Sequence, residues 1–157
     1  MQKITTFLTF ANQAEDALSF YASVFQNSKI GDVRRYGNTG PGAMGSFMTG
    51  TLDIEGQKLM LLNAGVDFGF SPGMSLFVDC KTQQEVDELW DKLSVGGEKK
   101  QCGWLQDKFG VSWQIIPSAL GEMLSDKDPV KAQRVMRAMM QMHKIDIEQL
   151  KQAYAES

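Results

Sequence analysis

The sequence predicts an α+β fold made of two βαβββ modules followed by a helical tail. Three observations predict it. A strand, a helix and three strands can be read over residues 3–65, the same order begins again over 74–117, and capped helical periodicity returns after Asp128.

Residues 3–10, KITTFLTF, are rich in β-branched and aromatic side chains and read as a strand. Asn12 and Glu15 then have the spacing of a capping box ahead of Ala14, Ala17, Leu18, Tyr21, Val24 and Phe25, which recur at helical spacing. Strands are expected at 29–36, 46–54 and 57–63, divided by the glycine-rich GNTGPGAMG loop and the tight Glu55-Gly56 turn. Gly65, Gly69, Pro72 and Gly73 mark the connection to the second module. There, 74–80 reads as a strand, and Thr82 with Glu85 forms a second capping box before Val86, Leu89, Trp90 and Leu93. Short strands follow at 97–101, 102–107 and 111–116, with turns at Gly96-Gly97 and Asp107 to Gly110.

Spacing within the halves tests the repeat. Ala17, Phe20, Tyr21 and Val24, moved forward by 69 positions, land on Val86, Leu89, Trp90 and Leu93. Gly56, Leu59 and Leu61 map onto Gly110, Trp113 and Ile115 at an offset of 54, so the first half is longer, mostly through a loop insertion at 37–45. In the tail, Asp128 caps a helix with Pro129 at its first position, and Val135, Met136, Met139, Met140 and His143 recur at helical spacing. Asp146 starts a shorter helix through Ile147, Leu150 and Tyr154. These stripes must be buried on their own sheet or on a second subunit, and a dimer contact is one expectation. The division is therefore residues 1–125 for the domain, with repeats 3–65 and 74–117, and 126–157 for the helical extension.

Composition narrows the function. The chain is 43% hydrophobic and 22% charged, enough apolar material for a packed core. A formal net charge of -3 supplies no basic footprint for a nucleic acid. No run approaches the roughly 18 apolar residues of a membrane span, and MQKITTFLTF has no secretory-signal pattern, so a cytoplasmic protein is expected. Cys80 and Cys102, lacking CxxC spacing, read as reduced thiols. Met123, Met136, Met139, Met140 and Met142 read as adaptable packing surface.

FLTFANQAEDALSFYASVF, MSLFVDCKTQQEVDELWDKL, CGWLQDKFGVSWQIIP and QRVMRAMMQMHKIDIEQLKQAY together span nearly the whole chain. They resemble the PhnB-like branch, often labelled 3-demethylubiquinone-9 3-methyltransferase-like, of the vicinal-oxygen-chelate superfamily of glyoxalases, bleomycin-resistance proteins and dioxygenases. The resemblance implies paired βαβββ modules whose eight strands form an incomplete barrel around a pocket, usually in a homodimer. In metal-dependent members, four His, Glu or Gln side chains at equivalent strand positions hold a divalent cation.

Carried over one at a time, those positions fall at Thr5 or Thr6, near Met60, at Met74 or Ser75, and at Gln114. Only Gln114 is a plausible ligand, and one neutral amide does not offset the dehydration of a hard cation. The single histidine, His143, lies in the tail, so no metal and no cofactor are expected. Methyl transfer from S-adenosylmethionine calls for a glycine-rich strand-to-helix turn, whereas GNTGPGAMG lies between two predicted strands. Cys102 has no histidine to lower its pKa, and Asp107 is explained as a turn-capping residue; Asp53 is the other candidate acid.

Phe68, Phe70, Trp104, Phe109 and Trp113 suggest aromatic walls. Strand alternation puts Trp113 and Ile115 opposite Gln114, so an inward Gln114 sends Trp113 under the helices. The pocket candidates are Thr6, Met60, Ser75, Trp104 and Gln114. The expected function is metal-free binding of a small apolar or aromatic molecule. The alternative is an enzyme acting on a small molecule by an unrecognised reaction, with no catalytic residue assigned.

Overall fold

The structure, a computed structural model, describes residues 3–156. Met1, Gln2 and Ser157, which bound the two sequence segments, lie outside the described residues. The chain forms two compact units, one ending at Gly69 and the other starting at Phe70.

In the first unit, β1 (Thr6–Phe10) leads to α1 (Ala14–Val24), then β2 (Ser28–Arg35), β3 (Phe47–Ile54) and β4 (Gln57–Asn63). The sheet order is β1-β4-β3-β2, with β1 and β4 parallel and the other pairs antiparallel. Helix α1 buries Ala14, Ala17, Leu18, Tyr21 and Val24, and Leu8, Phe10, Leu52, Leu59 and Leu61 form the matching buried strand positions. The expected capping box does not form. Gln13 is the N-cap and makes no side-chain cap bond, while the Ala14 N–H donates to Asn63 Oδ1 of β4 at 2.8 Å. Glu15 instead pairs with Arg35 at 2.7 Å. A sheet side chain has thus replaced the local cap, a substitution that spacing along the helix could not reveal.

The second unit repeats this plan with β5 (Ser75–Cys80), α2 (Gln83–Leu93), β6 (Glu98–Lys99), β7 (Trp104–Gln106) and β8 (Ser112–Pro117). Its order is β5-β8-β7-β6, again with the first pair parallel. Thr82 does cap α2, accepting from the Glu85 N–H at 3.1 Å. Val86, Leu89, Trp90 and Leu93 are buried as the repeat predicts. Both sheets have four strands and neither is closed.

The expected strand at 102–107 is shorter. Cys102 has φ 59° and Gly103 φ 82°, so these residues make a left-handed turn before Trp104. An added Cβ at Gly103 would lie 2.7 Å from Ile116 Cδ1 and 3.0 Å from the Ile115 carbonyl oxygen, which requires glycine there.

A short helix absent from the sequence reading, α3 (Ser118–Leu124), precedes α4 (Pro129–Met140) and α5 (Ile147–Ala155). Asp128 and Asp146 cap α4 and α5 as expected. His143 lies in the loop after α4, because the helix stops at Met140. The tail packs on its own unit: Leu120, Val135, Met142, Ile145 and Leu150 form one buried cluster with Ile116 of β8. Met123 and Met139 pack against that cluster, whereas Met136 and Met140 are exposed on α4. Among the described residues, no helix is long and apolar enough to cross a membrane.

Candidate functional site

Side chains alternate across a strand, so each sheet has a helix-covered face and a face turned away from its helix. In the second sheet, Trp113 and Ile115 are buried on the α2 side. Gln114 therefore faces the other way, in register with Trp104 of β7 and Phe77 of β5. One step along the strands, Ser112 stands between Gln106 and Ser75. Gln114 Nε2 donates to Ser75 Oγ at 3.0 Å, fixing the amide against the neighbouring strand. Two aromatic rings thus flank one polar pair. Phe77 is 59% exposed, an unusual state for a phenylalanine in a sheet.

The turn beneath this face is held by Asp107, which is 3% exposed. Its carboxylate accepts from the Phe109 N–H at 2.9 Å, the Val111 N–H at 3.0 Å and Trp113 Nε1 at 2.9 Å. Turn capping is therefore what Asp107 does, and the same contacts lock Trp113 on the helix side. Gln106 Nε2 donates to the Gly110 carbonyl at 3.1 Å across the same turn.

Of the sequence candidates, Ser75, Trp104 and Gln114 come together on this one face. Met60 and Thr6 do not share a face. Thr6 stands in register with Leu59, which is fully buried, so Thr6 points to the α1 side and its hydroxyl accepts from Gln57 Nε2 at 3.3 Å. Met60 is in register with Phe7 and Thr51 on the opposite face of the first sheet. Phe68 is exposed, and Asp53 is an exposed residue opposite Lys58.

The remaining groups have structural explanations. Cys80 is buried, and desolvation, followed by the nearby Glu85, pushes its thiol up to about 12, so at neutral pH it carries no thiolate. The glycine-rich loop closes on Tyr36: a Cβ at Gly42 would lie 2.2 Å from that ring, and Tyr36 Oη donates to the Asn63 carbonyl at 2.5 Å. It joins two strands and presents no helix N-terminus to a phosphate. Among the described residues, no three His, Cys, Asp or Glu side chains group where a metal could be held.

Sequence reasoning missed Phe77 and Gln106, although strand alternation through SLFVDC and WLQ places both on the Gln114 face. It also missed Gln83. That side chain donates to the Ile145 carbonyl at 2.9 Å and accepts from the Ile147 N–H at 2.7 Å, tying α2 to the tail. Nothing in a lone glutamine of a helix's first turn signals such a contact.

A family described as 3-demethylubiquinone-9 3-methyltransferase matches residues 2–116. A solved structure from Bacillus cereus, described as a putative 3-demethylubiquinone-9 3-methyltransferase and PhnB protein, is 40% identical. It aligns over 74% of this chain and 100% of its own, with a TM-score of 0.69. A protein from Pseudomonas aeruginosa shares the fold at 19% identity and a TM-score of 0.63, over 74% of this chain and 98% of its own. No curated protein matches the chain. With a family match running through both modules and a relative covered along its whole length, the chain belongs to the PhnB-like 3-demethylubiquinone-9 3-methyltransferase family.

Proposed function

We propose that this protein binds a small, flat, uncharged molecule against the Gln114 face of the second sheet, without a metal, and that it does so as a homodimer. One observation carries the reading: Trp104 and Phe77 stand in register on either side of Gln114, and Phe77 is left 59% exposed. Rings on both sides of a polar pair suit a planar ligand, which gains area from the rings and orientation from the amide and hydroxyl. The family description names a demethylubiquinone, and a quinone ring has this shape and polarity.

Donor chemistry supports the metal-free part. Ser75 and Gln114 offer one hydroxyl and one amide, already bonded to each other. Neutral donors of this kind do not replace the water shell of a divalent cation. Methyl transfer is not proposed because, among the described residues, no strand-to-helix glycine turn stands ready to hold an S-adenosylmethionine carboxylate or ribose. The homodimer is supported by Met136 and Met140, exposed one turn apart on α4.

The test is a thermal-shift titration with 1-naphthol, a neutral aromatic probe, with and without zinc or magnesium ions. Ligand at a hundredfold excess over its Kd stabilises the native state by about 2.7 kcal/mol. The expected result is stabilisation independent of either ion and lost in Trp104→Ala. Stabilisation that requires the ion, or that survives Trp104→Ala and Gln114→Ala alike, would remove this site.

A further inference from the structure

We infer that the C-terminal extension is the end wall of the ligand face, holding Trp104 in place and limiting how long a ligand the face accepts. The inference rests on the proposed binding at Gln114.

Ile116 stands two residues beyond Gln114 on an uninterrupted strand register, and so lies on the same face. It is nevertheless 8% exposed, because Leu120, Val135, Met142, Ile145 and Leu150 pack with it. The tail therefore covers the face at Ile116, whereas Phe77, alongside Gln114 on the edge strand, is 59% exposed. The face is capped at one end by the tail.

The same segment grips the turn that delivers Trp104. The Cys102 N–H donates to the Met142 carbonyl at 2.8 Å, and the Gly103 N–H donates to the His143 carbonyl at 2.8 Å. The Gly103 carbonyl in turn accepts from the Ile115 N–H at 2.8 Å, next to Gln114. Ile145 Cγ1 would lie 3.1 Å from a Cβ at Gly103, so the tail and this turn are in van der Waals contact. A left-handed turn with a non-glycine residue at φ 59° persists when its surroundings fix it, and here the tail carbonyls supply that constraint. Gln83, through Ile145 and Ile147, and the 3.0 Å Lys144–Asp87 ion pair anchor the same loop to α2.

The tail lies outside the 2–116 segment that the family matches, so the end wall is built from residues beyond that segment.

The experiment compares two neutral probes on the full-length protein by isothermal titration calorimetry, compact 1-naphthol and long 4-hydroxybiphenyl. Ile145→Ala trims the wall from behind, and Gln83→Ala loosens its anchor from a position on α2 remote from the face. The expected result is a shift of the affinity ratio toward 4-hydroxybiphenyl by at least fivefold in Ile145→Ala. In parallel, 5-fluorotryptophan NMR of the ligand-free protein should show the Trp104 resonance broadened in Gln83→Ala, with Trp90 unchanged. If both probes bind through Trp104 and Gln114 while the ratio and the Trp104 resonance stay at their wild-type values, the end wall is refuted and the binding face stands. If neither probe binds yet Trp104 broadens, the binding reading fails, ligand selection with it, and only the clamp on Trp104 survives. Should Ile145→Ala not fold, the Gln83→Ala ratio, expected to move in the same direction, decides.

Discussion

Asp107 sits in the tight turn before β8 with three N–H donors converging on two oxygens. Replacing it with alanine leaves all three without their acceptor, each buried donor costing about 1–3 kcal/mol unless water reaches it. Asp107→Ala should therefore lower stability by about 3 kcal/mol in urea unfolding, and Asp107→Asn by less, since one oxygen remains. A loss under about 0.5 kcal/mol for the alanine variant would mean the turn is set by Gly110 and the strand pairing alone. Tyr154 and Asp126 share a short hydrogen bond between α5 and the loop that joins α3 to α4. That bond raises the tyrosine above its ordinary 10.0 and, as the largest cause, lowers the aspartate below its ordinary 3.8. The protonated phenol is the partnered form, so its contribution is whole below the ordinary tyrosine value and is lost as pH climbs through the raised native one. The carboxylate's contribution is whole above 3.8 and is lost as pH falls through the lowered native value. In an absorbance titration at about 295 nm, Tyr154→Phe should remove a late-ionising phase that the wild-type protein shows.

At the scale of elements, two helices with the same buried pattern begin in different ways. Thr82 caps α2 from its own sequence, while α1 borrows Asn63 from β4. Asn63→Ala should accordingly cost about 1 kcal/mol and raise amide exchange at Ala14, whereas Asn12→Ala should leave both unchanged; the reverse pattern would restore the local cap. The repeat itself was legible because burial imposes the same spacing on both helices, from Ala17 to Val24 and from Val86 to Leu93. The Gln114 face was legible for a similar reason, since alternation decides where Trp104 and Trp113 point. The anchoring of the tail was not legible. It depends on Gln83, on the Lys144–Asp87 ion pair and on main-chain groups at residues 102–103 and 142–147, and main-chain groups leave no mark in a sequence. Helix α3 was missed because Ser118–Leu124 is a single apolar-edged segment of seven residues with Gly121 inside it.

For the molecule as a whole, the placement of the tail alters what a dimer would need. Leu150, Val135 and Ile145 are fully buried within their own unit, and the tail's exposed apolar residues Val130, Met136 and Met140 lie on α4. Sedimentation equilibrium should give about twice 17.5 kDa, and Met136→Lys with Met140→Lys should reduce it to the monomer without loss of secondary structure. An unchanged mass would move the contact elsewhere. Removing the chain from Asp128 onward is a poorer probe, because it would strip the cover from Ile116 and Leu120. Family and fold are properties of the two modules, and the match over 2–116 records them; the cover over Ile116 belongs to the helical extension.

The turn at Cys102 and Gly103 offers the tail two peptide N–H groups, and almost any sequence has those to give. The dock's side-chain requirements on the module are few, namely Gln83, Asp87, Gly103 and Ile116, which makes the extension portable. Grafted behind the last strand of a homologue without such a tail that carries these four residues at the corresponding places, residues 118–156 should find their seat, and with it any restriction that the proposed end wall imposes. A two-module scaffold could then be given a new preference by exchanging its appendix, leaving every residue of its binding face untouched.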